Sequence, residues 1–131
     1  MDASIKFIGT IHSALKSIEE CPLQESENAP AATITILPEF LEGIKDIKVG
    51  CKIVLLTWLH IADRKVIKCK PRNNQEAPVF GVFSTRSPDR PNPIGIHTVE
   101  VVSIENEMIT VAGLEVLDLT PVIDIKPIWN R

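Results

Sequence analysis

An alternating apolar stretch in the second half of the chain places the strongest constraint on the fold. Residues 94–104 read IGIHTVEVVSI, with apolar residues recurring at the period of a β-strand. The tripeptide ENE follows, and residues 108–112 (MITVA) resume the apolar pattern. Two such runs around a short polar turn predict a β-hairpin with one face in a core.

The other apolar segments are short, which favours strands over helices. Residues 49–59 contain CKIVLLTWL, a run typical of a strand buried on both sides. Pro38 is expected to open one helical turn. Further strands are predicted at residues 5–12, 32–37, 64–72, 79–83, 114–119 and 122–125. The pattern predicts an all-β, mainly antiparallel chain with at most one or two short helical turns, forming one domain over residues 1–131, either a barrel or a sandwich.

Charge and simple motifs exclude several classes of protein. The net charge of −3 argues against a grip on nucleic acid by the whole surface, although residues 64–72 (RKVIKCKPR) carry five cations and no anion. The three scattered cysteines and three histidines indicate neither a disulfide framework nor a metal site. Isolated glycines exclude a G-x-G-x-x-G phosphate loop. Without a signal peptide or a membrane-length apolar run, we expect a soluble, cytoplasmic protein with no membrane partner.

The most informative polar segment is STRSPDRPNPIG, residues 84–95. Its three prolines fix their own φ angles and hold the preceding residues extended. Arg86 and Arg90 offer planar charged forks for a carboxylate or phosphate, and Asp89 lies between them. Gly95 allows close approach of a ligand or another backbone. The segment is either an arginine–aspartate clasp at a corner of the fold or a rigid ligand site.

Polar residues near other predicted strand ends are weaker candidates. Asp124 and Lys126 alternate on one face of a predicted strand, as a surface salt bridge or a pocket wall. His60 follows the long apolar run and either bonds to backbone or lines a cavity. Trp58 and Phe83 are expected in the core. The alternative, that one of them stacks on an adenine ring, requires an exposed aromatic face.

The motifs GVFSTRSPDRPNPIGI (81–96), DLTPVIDIKP (118–127) and CPLQ (21–24) together resemble the TsaA-like, or TrmO, family over residues 5–127. This resemblance implies a single β-barrel that binds S-adenosylmethionine, often as a homodimer. It further implies methylation of the exocyclic nitrogen of threonylcarbamoyl-adenosine beside a tRNA anticodon.

The resemblance assigns roles by position. The cofactor-binding positions are Arg86, Arg90, Asn92, Pro93, Gly95, Asp118 and Thr120. The substrate-binding positions carried over from the family are Gln24 and Lys126. The basic run adds Arg64, Lys68 and Lys70, which would steer the RNA. Asp124 or His60 would accept the proton of the nitrogen that is methylated. Either Arg86 or Arg90 would hold the threonyl carboxylate or an RNA phosphate, and the choice stays open.

Three positions depart from the family pattern. Leu119 stands where a glycine is usual, Ile128 where an aromatic residue is usual, and Glu115 where an aspartate is usual. Because the first two can alter the pocket or a dimer edge, two alternative functions stay open. These are a non-catalytic module that binds S-adenosylmethionine or RNA, and a methyltransferase for small molecules.

Overall fold

The fold is given by a computed structural model, which describes residues 3–15, 31–70 and 76–129. Two 3₁₀ helices, Pro38–Ile44 and Val82–Ser84, lie in this part of the chain. Its eight strands are β1 (Gly9–His12), β2 (Ala32–Ile36), β3 (Lys52–Trp58), β4 (Lys68–Cys69), β5 (Phe80–Gly81), β6 (Ile94–Glu105), β7 (Met108–Ala112) and β8 (Pro121–Pro127).

Six strands form a closed antiparallel barrel in the order β1-β2-β7-β6-β3-β8, and β8 pairs back to β1. The closed ring decides for a barrel over a sandwich, and the predicted all-β class is confirmed. The long alternating stretch is β6, which forms the predicted hairpin with β7. On its other edge β6 pairs with β3 along all seven β3 residues, from Lys52 with Glu100 to Trp58 with Ile94.

Branched aliphatic side chains fill the barrel. Ile11, Ile34, Leu55, Val101 and Ile109 are each 0% exposed, and they come from five different strands. Such side chains pack well on pleated surfaces, which explains why a chain rich in isoleucine and valine adopts this architecture.

Three predicted elements differ from the observed ones. Residues 114–119 contain no strand, although Leu114 and Val116 belong to the core. Pro121 begins β8 instead of breaking it, because the first residue of a strand can lack a ladder N–H. The first strand starts at Gly9 and not at residue 5.

The basic segment, residues 64–72, was predicted as one strand, and the observed strand is shorter. Within its described part only Lys68–Cys69 is a strand, and it pairs with β5 in a separate two-stranded sheet. No helix in the described ranges has the length and apolar character that a membrane crossing requires.

Candidate functional site

The proline-rich loop between Val82–Ser84 and β6 is held by its own side chains. The Thr85 hydroxyl donates to the Val82 carbonyl at 2.8 Å and accepts from the Ser87 N–H at 3.3 Å. The Ser87 hydroxyl in turn accepts from the Asp89 N–H at 3.2 Å. These short-range bonds add to the φ restraint of the prolines, so the loop has little conformational freedom left.

Arg90 is the central support of this loop. Its Nε donates to the Ser87 carbonyl at 2.8 Å, and one Nη donates to the Val82 carbonyl at 2.9 Å and to the Thr85 carbonyl. Hydrogen bonds from a charged donor are stronger than neutral ones, and a planar fork fixes their directions. The guanidinium of Arg90 is therefore occupied by backbone oxygens of its own loop.

A second set of contacts ties the outer side of the loop to the turn after β3. The Asp63 N–H donates to Asp89 Oδ1 at 2.8 Å. Arg64 donates from Nε to the Pro91 carbonyl at 2.8 Å and from Nη2 to Asn92 Oδ1 at 3.3 Å. Its guanidinium also lies over the Trp58 ring, 4.9 Å from the centroid. The predicted arginine–aspartate clasp is not formed among the described residues, because Arg90 donates to carbonyl oxygens and Asp89 accepts a backbone N–H. The corner is instead held by bonds from charged side chains to neutral partners.

A cleft of about 920 Å³ opens beside this loop. Its walls come from the turn after β3, from β4 and β5, from the loop, from the start of β6 and from residues 115–120. Leu59, Ile61 and Phe80 provide apolar surface, while His60 and Arg86 provide exposed polar groups. A cleft of this size, with a mainly apolar surface and several charged side chains, has the properties of small-molecule sites.

Buried polar residues form part of the cleft wall. His97 is 7% exposed, and its Nε2 lies 2.9 Å from Oγ1 of the fully buried Thr57. Thr120 is 1% exposed and donates its hydroxyl hydrogen to the Leu117 carbonyl at 2.7 Å. Sequence reasoning missed Thr57 and His97, although His97 occupies an inward position of an alternating strand, where a polar residue is unusual.

Gly95 lies directly against the Thr57–His97 pair. A Cβ at this position would be 2.4 Å from Thr57 Oγ1 and 2.7 Å from His97 Nε2. The sequence predicted close approach by a ligand or another backbone at Gly95, whereas the groups packed against it here are side chains of the barrel interior.

The structure brings some of the predicted residues together and separates others. Those that line the cleft are His60, Lys70, Arg86, Arg90, Gly95 and Thr120. The predicted residues that the structure describes but that do not line the cleft are Arg64, Lys68, Asn92, Pro93, Asp118, Asp124 and Lys126. Gln24 lies outside the described residues.

The predicted residues away from the cleft have structural contacts of their own. Asp118 accepts the Ser13 N–H on Oδ1 at 2.9 Å, and the buried Pro93 accepts the Leu59 N–H at 2.8 Å. Asp124 and Lys126 form an ion pair at 3.1 Å. They project from the outer face of β8, because Ile125 between them pairs with the inward Leu55.

Two aromatic residues differ in exposure from the expected core position. Phe83 is 81% exposed, so its assignment to the core was wrong. Trp58 is half-buried between Arg64 and Phe7, whose ring centroid lies 6.5 Å away.

Leu119 has a left-handed backbone, with φ of +70°. Its N–H donates to the Ile11 carbonyl at 2.7 Å, which fixes this turn against β1. A Cβ is disfavoured in this region, so the glycine that is usual in the family motif has a direct conformational reason.

We expect Leu119→Gly to be more stable than Leu119→Ala by about 1 kcal/mol, because only glycine adopts this backbone without strain. Both variants remove the side chain, so the comparison isolates the effect of the Cβ. Urea denaturation of the two proteins measures the difference. The usual order, with alanine more stable than glycine, would contradict the assignment of strain.

The geometry defines a class of protein: a small closed β-barrel with a rigid loop beside a ligand-sized cleft. The chain belongs to the tRNA-methyltransferase O N-terminal domain family, whose sequence profile matches residues 10–131.

Individual relatives agree with this membership. A probable S-adenosyl-L-methionine-binding protein of Methanothermobacter thermautotrophicus is 38% identical over 99% of this chain and 93% of its own length. One of Archaeoglobus fulgidus with the same name is 39% identical over 97% of this chain but 34% of its own. A crystal structure of TrmO from Pseudomonas aeruginosa superposes with a TM-score of 0.75 at 30% identity over 98% of this chain. This chain spans 57% of that structure.

Proposed function

We propose that this chain binds S-adenosylmethionine in the cleft and methylates the exocyclic nitrogen of threonylcarbamoyl-adenosine next to a tRNA anticodon. The observation that carries the proposal is the cleft itself, which is built from the loop of the family motif and holds His60 and Arg86 on its walls. Family membership and the names of the relatives support the cofactor and the type of reaction.

The residues of the cleft fit such a cofactor. Apolar walls at Leu59, Ile61 and Phe80 suit the adenine ring, and the oxygen of Thr120 retains a lone pair for a ligand donor. The bound sulfonium supplies an activated methyl group, so the protein must mainly align the nitrogen and remove its proton. Arg90 and the contacts around Asn92 and Pro93 hold the loop in place for this alignment.

His60 is the better placed of the two proton acceptors. It lines the cleft and is exposed, whereas Asp124 lies on the outer face of β8 in an ion pair with Lys126. We therefore assign His60 as general base: its imidazole takes the N–H proton while the N–C bond forms and the S–C bond breaks.

The two arginines have different roles in this proposal. Arg86 lines the cleft and is exposed, and its guanidinium makes no hydrogen bond or ion pair to the described residues. Arg90 is committed to three carbonyl groups. We therefore assign Arg86 as the contact for the threonyl carboxylate, since a guanidinium binds a carboxylate through two parallel bonds.

We also propose a homodimer that acts in the cytoplasm. Ile94 and Ile96 are 44% and 54% exposed, and they pair with Trp58 and Leu56 across the outer face of β3 and β6. A second copy on this apolar face would lie beside the cleft, because both isoleucines also line it. Sedimentation equilibrium tests this part, and a monomer at micromolar concentration would contradict it.

The test is methyl transfer to tRNA that carries threonylcarbamoyl-adenosine. After incubation with S-adenosylmethionine, mass spectrometry of the digested nucleosides is expected to show one added methyl group on that nucleoside. His60→Asn is expected to lower kcat by about 100-fold or more, because general-base catalysis contributes about 10² to 10⁴.

Asp124→Asn is the matched control and is expected to retain activity. Cofactor binding by calorimetry without any methyl transfer would instead identify a binding module. Transfer that proceeds equally well in the absence of tRNA would identify a methyltransferase for small molecules.

A further inference from the structure

Phe83 has the most exposed large apolar side chain in the described parts of the chain, at 81%. It belongs to the 3₁₀ helix Val82–Ser84, in which Val82 is 1% exposed and fills the interior. The three residues that follow, Ser84, Thr85 and Arg86, line the cleft. An aromatic ring therefore stands in solvent at the rim of the candidate site, where packing does not require it.

The charge around this ring is opposite to that of the rest of the chain. Residues 60–90 hold seven of the 14 lysines and arginines and three of the 17 acidic residues, a net charge of +4. The remaining residues carry −7, which together give the total of −3. The exposed Lys68 lies on β4 and pairs with Gly81 of β5. Gly81 is two residues before Phe83 in the chain. The rim thus combines an exposed aromatic face with a local positive field.

We infer that Phe83 is a stacking platform for an unpaired RNA base next to the nucleoside that enters the cleft. The inference takes RNA as the substrate from the proposed function and adds a base contact outside the cleft. Unpaired bases stack on exposed aromatic rings, while neighbouring lysines contact the phosphates. Lys68 is the phosphate contact in this arrangement.

The charge favours RNA over a second copy of the chain as the occupant. A two-fold dimer that placed Phe83 on its axis would bring two segments of net charge +4 together. An RNA with unpaired bases complements the exposed Phe83 ring through its bases and the positive charge through its phosphates.

The experiment uses an anticodon stem-loop RNA with fluorescent 2-aminopurine in place of a base adjacent to the target. Wild-type protein is expected to quench the fluorescence on binding. Phe83→Leu, which keeps an apolar side chain but has no ring face, is expected to abolish the quenching and to weaken binding about tenfold. Phe83→Trp is expected to retain both.

Two control variants separate stacking from apolar contact and from charge. Val79→Ala shortens another exposed apolar side chain (55%) near the rim and is expected to leave the dissociation constant unchanged. Phe83→Leu is expected to keep the slope of log K against log salt, whereas Lys68→Ala should reduce it by about one.

Unchanged quenching and affinity in Phe83→Leu would overturn the inference. So would a lower sedimentation coefficient of this variant than of the wild type, because Phe83 would then lie between two copies. The binding assay needs neither cofactor nor methyl transfer. If RNA binds and its fluorescence is quenched but it is never methylated, the proposed enzyme is refuted and the stacking site stands. If RNA is methylated without quenching, the stacking site is refuted and the proposed enzyme stands.

Discussion

Arg90→Ala is expected to lower the free energy of unfolding by about 3 kcal/mol and to abolish cofactor binding. The variant leaves the carbonyl groups of Val82, Thr85 and Ser87 without their charged donor. Hydrogen bonds to a charged group contribute about 1.5–3 kcal/mol each, and partial solvent access at this half-buried site reduces the total. Urea denaturation measures the stability, and calorimetry with S-adenosylmethionine measures the binding.

Arg86→Ala is the matched control, because it removes the same side chain from the same loop. Arg86 is exposed and has no polar partner among the described residues, so its free energy of unfolding is expected to change by no more than about 0.5 kcal/mol. Methyl transfer is expected to fall by about 100-fold, since a lost charge-assisted contact to substrate costs about 3 kcal/mol. Equal loss of stability in both variants would refute the division of roles.

The sequence was sufficient to predict that this loop is rigid but not that its two arginines make different contacts. Prolines 88, 91 and 93 act through covalent geometry, which is local and therefore readable. The role of Arg90 depends on the 3₁₀ helix Val82–Ser84, which directs the Val82 carbonyl back toward the guanidinium. This contact between Arg90 and the Val82 carbonyl depends on the folded path of the chain. In the sequence alone, Arg86 and Arg90 look equivalent.

The dependence on tertiary structure also explains why Phe83 was wrongly predicted to lie in the core. Residues 79–83 are apolar, and such a run predicts a buried strand. The strand ends at Gly81 and a 3₁₀ helix follows, so Val82 enters the core while Phe83 points to solvent. Periodicity cannot show where one regular element passes into another within five residues.

The strands of the barrel were easier to predict from the sequence, because apolar residues recur in them at the period of a β-strand. β6 alternates strictly between exposed and buried residues along 94–101, although Ile94 and Ile96 lie on its exposed face. β3 is apolar on both faces, but only its inner face is buried, so the predicted burial on both sides is not observed. By contrast, Asp124 looked equivalent to His60 as a base. The bulge in β8 opposite Leu56 and Thr57 fixes which side chains face outward, and sequence alternation does not reveal it.

Gly95→Ala is expected to destabilise the protein by about 2–3 kcal/mol, within the usual range for overpacking of a core. The new Cβ would lie 2.4 Å from Thr57 Oγ1 and 2.7 Å from His97 Nε2, and it would force this hydrogen-bonded pair apart. A buried pair that loses its bond also incurs the desolvation cost of its polar atoms. Thermal and urea denaturation measure the loss.

Gly43→Ala serves as the control, because a Cβ there meets no heavy atom within 4 Å. It is expected to be neutral or stabilising by up to about 1 kcal/mol through the entropy of the unfolded chain. In a Thr57→Ala background the cost of Gly95→Ala should decrease, since the nearest atom has been removed. An equal cost in both backgrounds would mean that Thr57 is not the group that requires glycine here. A decreased cost would establish that the glycine of the motif is needed by the barrel interior, whatever the ligand in the cleft contacts.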